Sequence, residues 1–171
     1  MEKIKDILGE AGNDLPIIRI LPNTPAMIGE GLMIIIAGSD VAQDEVNGLR
    51  ECIRTCGKVV QIPDEKLADA AMVMGGCTPA FTYMFIEALA DGAVTVGLTR
   101  EQGYIFAAQA VKGAAAMVLE NGGHPGDLKD AVCSPGGSTI VGVGELEKNG
   151  FRSAAIQAVV QACRATSALG K

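Results

Sequence analysis

The chain has 171 residues, of which 49% are hydrophobic and 20% charged, and its formal net charge is −6. This composition buries enough apolar surface to exclude a disordered protein, and the length predicts one compact domain, at most with an appendage. The acidic balance argues against a nucleic-acid partner or an anionic membrane surface, and the absence of a signal-peptide pattern or a run of about 18 apolar residues predicts no membrane span.

Small residues dominate the apolar part of the composition. The chain holds 24 Ala and 22 Gly, against 4 Phe, 2 Tyr and no Trp. A core built from such residues requires helices that approach one another closely. We therefore expect closely packed helices and a second chain that completes the core.

The cysteines predict free thiols rather than a disulfide framework or a metal site. Their number is odd, and no CxxC pair occurs. Buried free thiols fit a reducing compartment, so we expect a cytoplasmic protein without a bound metal. The five are Cys52, Cys56, Cys77, Cys133 and Cys163.

The first third of the chain predicts a small α/β part. A short amphipathic helix over 1–11 ends at Gly12-Asn13, and Ser39 or Asp40 is placed to cap a second helix that runs to about Thr55. The predicted strands are 16–21, 31–37 and 58–62, with a Pro22–Pro25 turn after the first. The unbroken apolar run over 31–37 indicates a strand that is buried on both faces.

The rest of the chain predicts helices and no further strand. Asp64 is placed to cap a helix that Gly75-Gly76 interrupts, and Pro79 suits the first turn of the next helix. Thr99 and Gln102 form a capping box at the start of another. The later helices are expected over about 99–121, 125–133, 138–147 and 151–169.

Residues 67–122 predict an interface. They hold only seven charged residues in 56, so their helices present few charged groups to the solvent. Dimerisation is the favoured interpretation, and the alternative is that these are the central helices of a monomeric bundle. Six methionines are expected in the core, namely Met27, Met33, Met72, Met74, Met84 and Met117.

One segment predicts chemistry, namely Ser134-Pro-Gly-Gly-Ser-Thr139. Its glycines permit close approach of a ligand, and the helix that begins near Ser138 offers free N–H groups and a positive dipole end to a carboxylate or phosphate. The alternative is a glycine-rich turn that only caps the helix. No GxxxxGK[ST] occurs, nor any GxGxxG after a strand, so the chain shows no dinucleotide site of its own.

Several motifs together resemble the pyrroline-5-carboxylate reductase family. They are ILPNTPAMIGEG at 20–31, GGCTPAF at 75–81, EALADGAVTVGLTRE at 87–101, HPGDLKDAVCSPGGSTI at 124–140 and GELEKNGFRSAAIQAV at 144–159. The resemblance implies a mainly α fold, with a helical dimerisation domain similar to the C-terminal domain of 6-phosphogluconate dehydrogenase. It also implies a truncated α/β Rossmann remnant in front, which divides the chain into 1–62 and 63–171.

The resemblance implies an oxidoreductase that reduces the cyclic imine 1-pyrroline-5-carboxylate to L-proline, the last step of proline biosynthesis, with NADPH or NADH. The substrate carboxylate would be held by Ser134, Gly136, Gly137, Ser138 and Thr139, and Thr139, whose hydroxyl would donate to the substrate, is the expected catalytic residue. Asn23, Thr24 and Pro25 would line the cofactor side. A homodimer, or a higher oligomer, is expected through the helical domain, with the active site formed between two chains.

The resemblance also implies that Gly76–Pro79 lies near the active site, where this sequence departs from the family. The family commonly has Ser-Gly-Ser-Gly-Pro-Ala-Tyr, and this chain has Gly75-Gly-Cys-Thr-Pro-Ala-Phe81. Ala131 stands where some members carry Asn. Two alternatives stay open, a non-enzymatic dimerisation module and a reductase of another imino or keto acid. The chain by itself is expected to be inactive, because most of the cofactor domain is missing from it.

Overall fold

A computed structural model describes residues 2–12 and 15–169 of the chain. Helices dominate the described residues, and a single three-stranded sheet lies in the first third. The predicted fold class, a mainly helical chain with a small α/β part in front, is confirmed.

The helices are α1 (Glu2–Leu8), α2 (Gln43–Ile53), α3 (Ala68–Met72), α4 (Thr78–Thr95), α5 (Arg100–Asn121), α6 (Pro125–Ala131), α7 (Ser138–Lys148) and α8 (Phe151–Leu169). The strands are β1 (Ile18–Leu21), β2 (Gly31–Ala37) and β3 (Gly57–Gln61). Short 3-10 turns occupy Gly9–Gly12, Thr24–Ile28, Arg54–Cys56 and Glu65–Leu67. Helix α1 ends earlier than predicted and continues as the first of these turns, while Asn13 lies outside the described residues.

The sheet has the order β1-β2-β3. Strand β1 pairs antiparallel with β2, with Ile18 opposite Ala37, and β3 pairs parallel with β2, with Gly57 opposite Gly31. Four consecutive residues of β2 are buried, as its unbroken apolar run predicts: Met33, Ile34, Ile35 and Ile36. The central strand therefore forms the core of the α/β part.

Two glycines allow β2 and β3 to begin side by side. Gly57 has φ of 138°, and a Cβ on it would lie 2.0 Å from the carbonyl oxygen of Gly31. A Cβ on Gly31 would in turn lie 2.7 Å from the Cα of Ala26. No larger residue fits at either position without moving the backbone.

The predicted start of α2 is wrong. The helix begins at Gln43 after an N-cap at Ala42, three residues past Asp40. A turn occupies the predicted first residues, because Val41 N–H donates to the Gly38 carbonyl at 3.2 Å. The Asp40 carboxylate instead accepts from Lys5 Nζ at 3.4 Å. The Glu45 carboxylate accepts from Ala42 N–H at 3.0 Å and so stabilises the new start.

The predicted break at Gly75-Gly76 is also wrong. The chain stays helical from Ala68 to Thr95, and Val73–Cys77 adopts a single π-helical turn, the π-turn. Within it, Thr78 N–H donates to the Val73 carbonyl, five residues back. The two glycines therefore widen the helix for one turn instead of ending it.

The chain divides into two compact units. The first comprises the residues up to 79 together with those from 159 onward, and the second comprises residues 80–158. In the first unit, Ser167 Oγ donates to Asp69 Oδ2 at 2.7 Å, which fastens the last turns of α8 to α3. Arg50 of α2 donates to Gln61 Oε1 of β3 at 3.0 Å in the same unit.

Helices α4 and α5 cross closely within the second unit. The predicted capping box is confirmed, since Gln102 N–H donates to Thr99 Oγ1 at 3.2 Å and Thr99 N–H donates to Gln102 Oε1 at 3.0 Å. A Cβ on Gly103 would lie 3.2 Å from the Cα, Cβ and carbonyl oxygen of Ala90. The small residues bring these two helix backbones together, as the composition predicts.

The second unit has almost no core of its own. Only Ala90, Gly103 and Ala107 are buried among residues 80–158, all of which the structure describes. Large apolar side chains of α4 and α5 are exposed instead, among them Tyr83, Met84, Ile105, Phe106, Met117 and Leu119. Within one chain, these helices leave a broad apolar surface open.

The predicted burial of the methionines is largely wrong. Met33 is buried in β2, but Met27 is 90% exposed and Met84 is 69% exposed. Met72, Met74 and Met117 are also exposed. An apolar side chain marks either a core or an interface, and composition does not separate the two.

No helix within the described ranges 2–12 and 15–169 combines the length and the apolar character needed to cross a membrane.

Candidate functional site

The candidate site is the Ser134–Thr139 loop, which leads from the end of α6 into α7. Gly137 N–H donates to the Ser134 carbonyl at 3.0 Å and so closes a four-residue turn. Pro135 and Gly136 hold the two central positions, and Gly136 has φ of 67°. Proline followed by a glycine with positive φ is the sequence that a type II turn requires. The local sequence therefore fixes the backbone of the loop.

Gly137 leaves the first turn of α7 without a side-chain cap. It occupies the N-cap position, and no side chain accepts a hydrogen bond there. A Cβ on Gly137 would lie 2.3 Å from Ser134 Oγ, so the Ser134 side chain fills the space where another residue would begin. The N–H groups at the start of an α-helix have no partner within the helix, so here they stay available to a ligand.

Three residues with hydroxyl groups lie at this helix start. Ser134, Ser138 and Thr139 are all exposed at the start of α7. Backbone N–H groups, hydroxyl donors and the positive end of the helix dipole together favour a small anion such as a carboxylate. The five predicted substrate residues lie in this loop and at the helix start, and their role stays a prediction.

Two cationic side chains of the second unit are paired with carboxylates. Lys129 of α6 contacts Asp130, and the hydrogen bond to that carboxylate raises the pKa of the Lys129 ammonium above its ordinary value. Arg152 of α8 contacts Glu147 of α7. Both side chains line a groove of about 550 Å³ in the second unit, which His124 also lines. None of the residues that line this groove belongs to the Ser134–Thr139 loop.

Helix α6 begins at a capping residue, His124. His124 Nδ1 accepts from Gly126 N–H at 3.0 Å, and its carbonyl accepts from Asp127 N–H at 3.0 Å. The helix closes where Cys133 N–H donates to the Asp130 carbonyl at 3.0 Å. The only histidine of the chain is thus engaged in a cap.

The second group of predicted residues, Asn23, Thr24 and Pro25, lies in the first unit. The predicted turn becomes the start of a 3-10 turn that ends at Gly29, which has φ of 77°. Ala26 N–H donates to the Asn23 carbonyl at 3.1 Å. The Thr24 side chain is exposed, and Pro25 is half-buried.

Both polar atoms of the Asn23 side chain have backbone partners. Its Nδ2 donates to the Gly75 carbonyl at 2.9 Å, and its Oδ1 accepts from Leu32 N–H at 2.9 Å. Sequence reasoning missed these contacts, because they join residues 52 and 9 positions apart along the chain. The Gly75-Gly76 pair was the feature of the sequence that indicated an irregular helical backbone at the place where Asn23 donates its hydrogen bond.

The two strand-to-helix connections of the first unit do not form a cradle for a dinucleotide pyrophosphate. Strand β2 leads to α2 through a connection with one glycine, Gly38, and the first turn of α2 carries Asp44 and Glu45. Strand β3 leads to α3 through Asp64 and Glu65. Carboxylates at these two helix starts repel a phosphate, so neither start fits the pyrophosphate of a dinucleotide.

Metal ligands are likewise not clustered. Within 2–12 and 15–169, no group of three or more His, Cys, Asp or Glu side chains is arranged to hold a metal ion. All five cysteines are free thiols, but the prediction that they are buried is wrong, since Cys52 is exposed and the other four are half-buried.

Comparisons with known proteins agree with this geometry. Residues 65–169 match the family model described as pyrroline-5-carboxylate reductase dimerisation. The chain is 44% identical to pyrroline-5-carboxylate reductase of Glycine max, with 95% of this chain and 58% of that protein aligned. It is 43% identical to the enzyme of Escherichia coli, with 94% of this chain and 59% of that protein aligned. The chain therefore spans about three fifths of the length of these curated relatives.

Solved structures give the same result. Plasmodium falciparum pyrroline carboxylate reductase with NADP bound matches with a TM-score of 0.88 at 35% identity, over 100% of this chain and 66% of that one. A pyrroline-5-carboxylate reductase from Coxiella burnetii matches with a TM-score of 0.90 at 32% identity, over 98% of this chain and 61% of that one. Since the family model covers most of the chain in sequence and these neighbours cover nearly all of it in structure, the chain belongs to the pyrroline-5-carboxylate reductase family.

Proposed function

We propose that this chain supplies the imino-acid-binding and dimerisation part of an NAD(P)H-dependent pyrroline-5-carboxylate reductase, which forms L-proline in the last step of proline biosynthesis. The observation that carries the proposal is the uncapped first turn of α7, at which three exposed residues with hydroxyl groups lie, inside the segment that matches the family model.

The Ser134–Thr139 loop holds the carboxylate of the cyclic imine. Gly136 and Gly137 allow the carboxylate to approach the backbone, and the N–H groups of Ser138 and Thr139 donate to it. Ser134 and Ser138 add hydroxyl donors. Binding the carboxylate at a rigid helix start fixes where the ring of the imine lies, and orientation of this kind lowers the barrier of the reaction.

Thr139 is the proposed catalytic residue. Its exposed hydroxyl lies at the second residue of α7, where it can donate a hydrogen bond to bound substrate. A protonated imine is already electrophilic, so the reaction needs orientation more than an acid–base pair. The only histidine of the chain, His124, has its Nδ1 engaged in capping α6, and the role proposed for Thr139 does not require it.

The reaction takes its hydride from a nicotinamide cofactor, NADPH or NADH. The Plasmodium falciparum reductase, whose structure has NADP bound, supports this cofactor class. The Asn23-Thr24-Pro25 turn is proposed to face the cofactor, with the exposed Thr24 hydroxyl as its free polar group. The two strand-to-helix connections of the first unit lack a pyrophosphate cradle, so we assign no cofactor-dependent step to them.

A second copy of the chain is proposed as the partner, in a homodimer or a higher oligomer. The exposed apolar side chains of α4 and α5 support it, as does the match to a dimerisation family model. The division into 1–62 and 63–171 stays a prediction, which the family match from residue 65 supports. A reducing cytoplasm stays a prediction too, supported by five free thiols.

Two assays of the 171-residue chain test the proposal. We expect negligible oxidation of NADPH with pyrroline-5-carboxylate, and we expect L-proline to raise the melting temperature. Thr139→Val should abolish most of the thermal shift, while Thr95→Val, a matched change of an exposed threonine on α4, should keep it. Robust oxidation of NADPH would contradict the expectation that the chain by itself is inactive. An unchanged melting temperature in the presence of L-proline would contradict the proposed substrate site.

A non-enzymatic dimerisation module is the second candidate, favoured by the exposed apolar surface of the second unit. It predicts a dimer that proline does not stabilise. A reductase of a related imino or keto acid is favoured by the departures at Cys77, Thr78 and Phe81. It predicts a larger thermal shift with another cyclic or open-chain carboxylate than with proline.

A further inference from the structure

The π-turn packs directly against the central strand of the sheet. Gly75 is buried, and a Cβ on it would lie 3.3 Å from Ile34 Cδ1 and 3.6 Å from Leu32 Cδ2. The widened helical backbone thus lies on side chains of β2. A π-turn departs from the regular hydrogen-bonding of an α-helix, so its position needs support from outside the helix.

The Asn23 side chain supplies that support. Its Nδ2 donates to the carbonyl of Gly75 inside the π-turn, and its Oδ1 accepts from the N–H of Leu32 in β2, both at 2.9 Å. One partner offers only an acceptor and the other only a donor, so the orientation of the amide is fixed. A single side chain therefore bridges β2 and the π-turn.

We propose that Asn23 is a positioning residue that holds the π-turn, and with it the following Cys77-Thr78-Pro79 segment, in place against β2. All of these residues belong to the first unit. The inference rests on the proposed function in one respect. The family resemblance places the Cys77-Thr78-Pro79 segment near the active site, and this is what would give its position a role in the reaction. Asn23 would then shape the site through the backbone that it holds.

Two substitutions separate the two hydrogen bonds of Asn23. Asn23→Asp keeps an acceptor for Leu32 N–H but loses the donor to the Gly75 carbonyl, and it sets a carboxylate against that carbonyl. Asn23→Ala removes both bonds. Asn47→Asp is the matched control, because Asn47 is exposed on α2 and its Oδ1 only accepts, from Gln43 at 3.2 Å.

Amide hydrogen exchange, measured residue by residue by NMR on the full chain, tests the proposal. In Asn23→Asp, exchange within the π-turn should rise about fivefold, the effect of losing one typical hydrogen bond, while Leu32 keeps its protection. In Asn23→Ala, Leu32 should lose protection as well. Asn47→Asp should match the wild type at both places.

Alkylation of Cys77 gives a second readout. Cys77 lies in the π-turn and is half-buried, as are Cys133 and Cys163, which serve as internal references. Asn23→Asp should raise the alkylation rate of Cys77 about fivefold and leave the references unchanged.

Unchanged exchange in the π-turn of Asn23→Asp would overturn the proposal. An equal rise at every residue and every cysteine would overturn it too, because it would indicate global destabilisation. Neither readout uses a ligand, so failure of the chain to bind proline would contradict the proposed function without affecting this test.

Discussion

At the scale of single residues, Gly137 shows how strongly the local geometry restricts the sequence. Its missing side chain leaves the Ser134 hydroxyl beside the start of α7. The sequence alone predicted a glycine-rich anion site at this place, because proline, glycine and hydroxyl residues specify a turn and a helix start locally. It did not predict that the Ser134 side chain would occupy the space where a side chain on Gly137 would begin.

Gly137→Ala is expected to weaken proline binding about tenfold while costing less than about 1 kcal/mol of stability. The added methyl group would begin 2.3 Å from Ser134 Oγ and 3.2 Å from the Ser134 carbonyl oxygen, so the hydroxyl must turn away from the site. Calorimetric titration with L-proline measures the first effect, and chemical unfolding measures the second.

Gly142→Ala on the same helix is the matched control. A Cβ there meets no atom within 4 Å, so this variant should bind proline like the wild type and gain stability from better helix propensity. Equal affinities for the two variants would contradict the role given to the Ser134 hydroxyl.

The Asn23 side chain illustrates the limit of prediction at this scale. The sequence placed Asn23 in a turn on the expected cofactor side, and the turn exists. Its two hydrogen bonds depend on how β2 and the π-turn pack in three dimensions, and no local pattern encodes that packing.

At the scale of elements, the elements with strong local signals were predictable. The Thr99–Gln102 capping box predicted the start of α5, and the predicted and observed bounds of α8 agree. The start of α2 was missed, because Asp40 is a good capping residue that instead pairs with Lys5, which is distant in sequence. The π-turn was missed because a glycine pair usually ends a helix.

Gly103→Val is expected to destabilise the α4–α5 pair by roughly 1–3 kcal/mol, the usual cost of overpacking. Even the Cβ would lie 3.2 Å from the Cα and carbonyl oxygen of Ala90, and the backbone there cannot move without separating the helices. The free energy of unfolding in urea is the measurement.

Gly113→Val, on the same helix, is the matched control because a Cβ there meets open space. This variant should be as stable as the wild type or more stable. If the two variants unfold at the same urea concentration, Gly103 does not set the distance between α4 and α5.

At the scale of the whole molecule, the second unit has an incomplete hydrophobic core. The low charge over 67–122 predicted an interface, and the exposed side chains of α4 and α5 agree with that interpretation. Composition predicted many small residues and close helices but assigned Met84 and Met117 to the interior of one chain. A single sequence does not tell a core from an interface, because both bury the same residue types.

The chain is expected to sediment as a dimer or larger assembly, and Phe106→Glu should shift it toward the monomer. Phe106 is 56% exposed on α5, and a carboxylate buried there against a second copy would lack a partner. Gln109→Glu, which adds the same charge at an exposed polar position of α5, should not change the assembly. A wild-type monomer, or equal behaviour of the two variants, would contradict the proposed interface.

The central claim is that the start of α7 recognises the carboxylate of an imino acid. Calorimetric titration of the wild-type chain with L-proline and with L-prolinamide tests it most directly, because the two ligands share the ring and differ in the carboxylate. We expect saturable binding of L-proline and at least about tenfold weaker binding of L-prolinamide, since a charge-assisted hydrogen bond is lost. Equal binding of both ligands, or no binding of either, would contradict it.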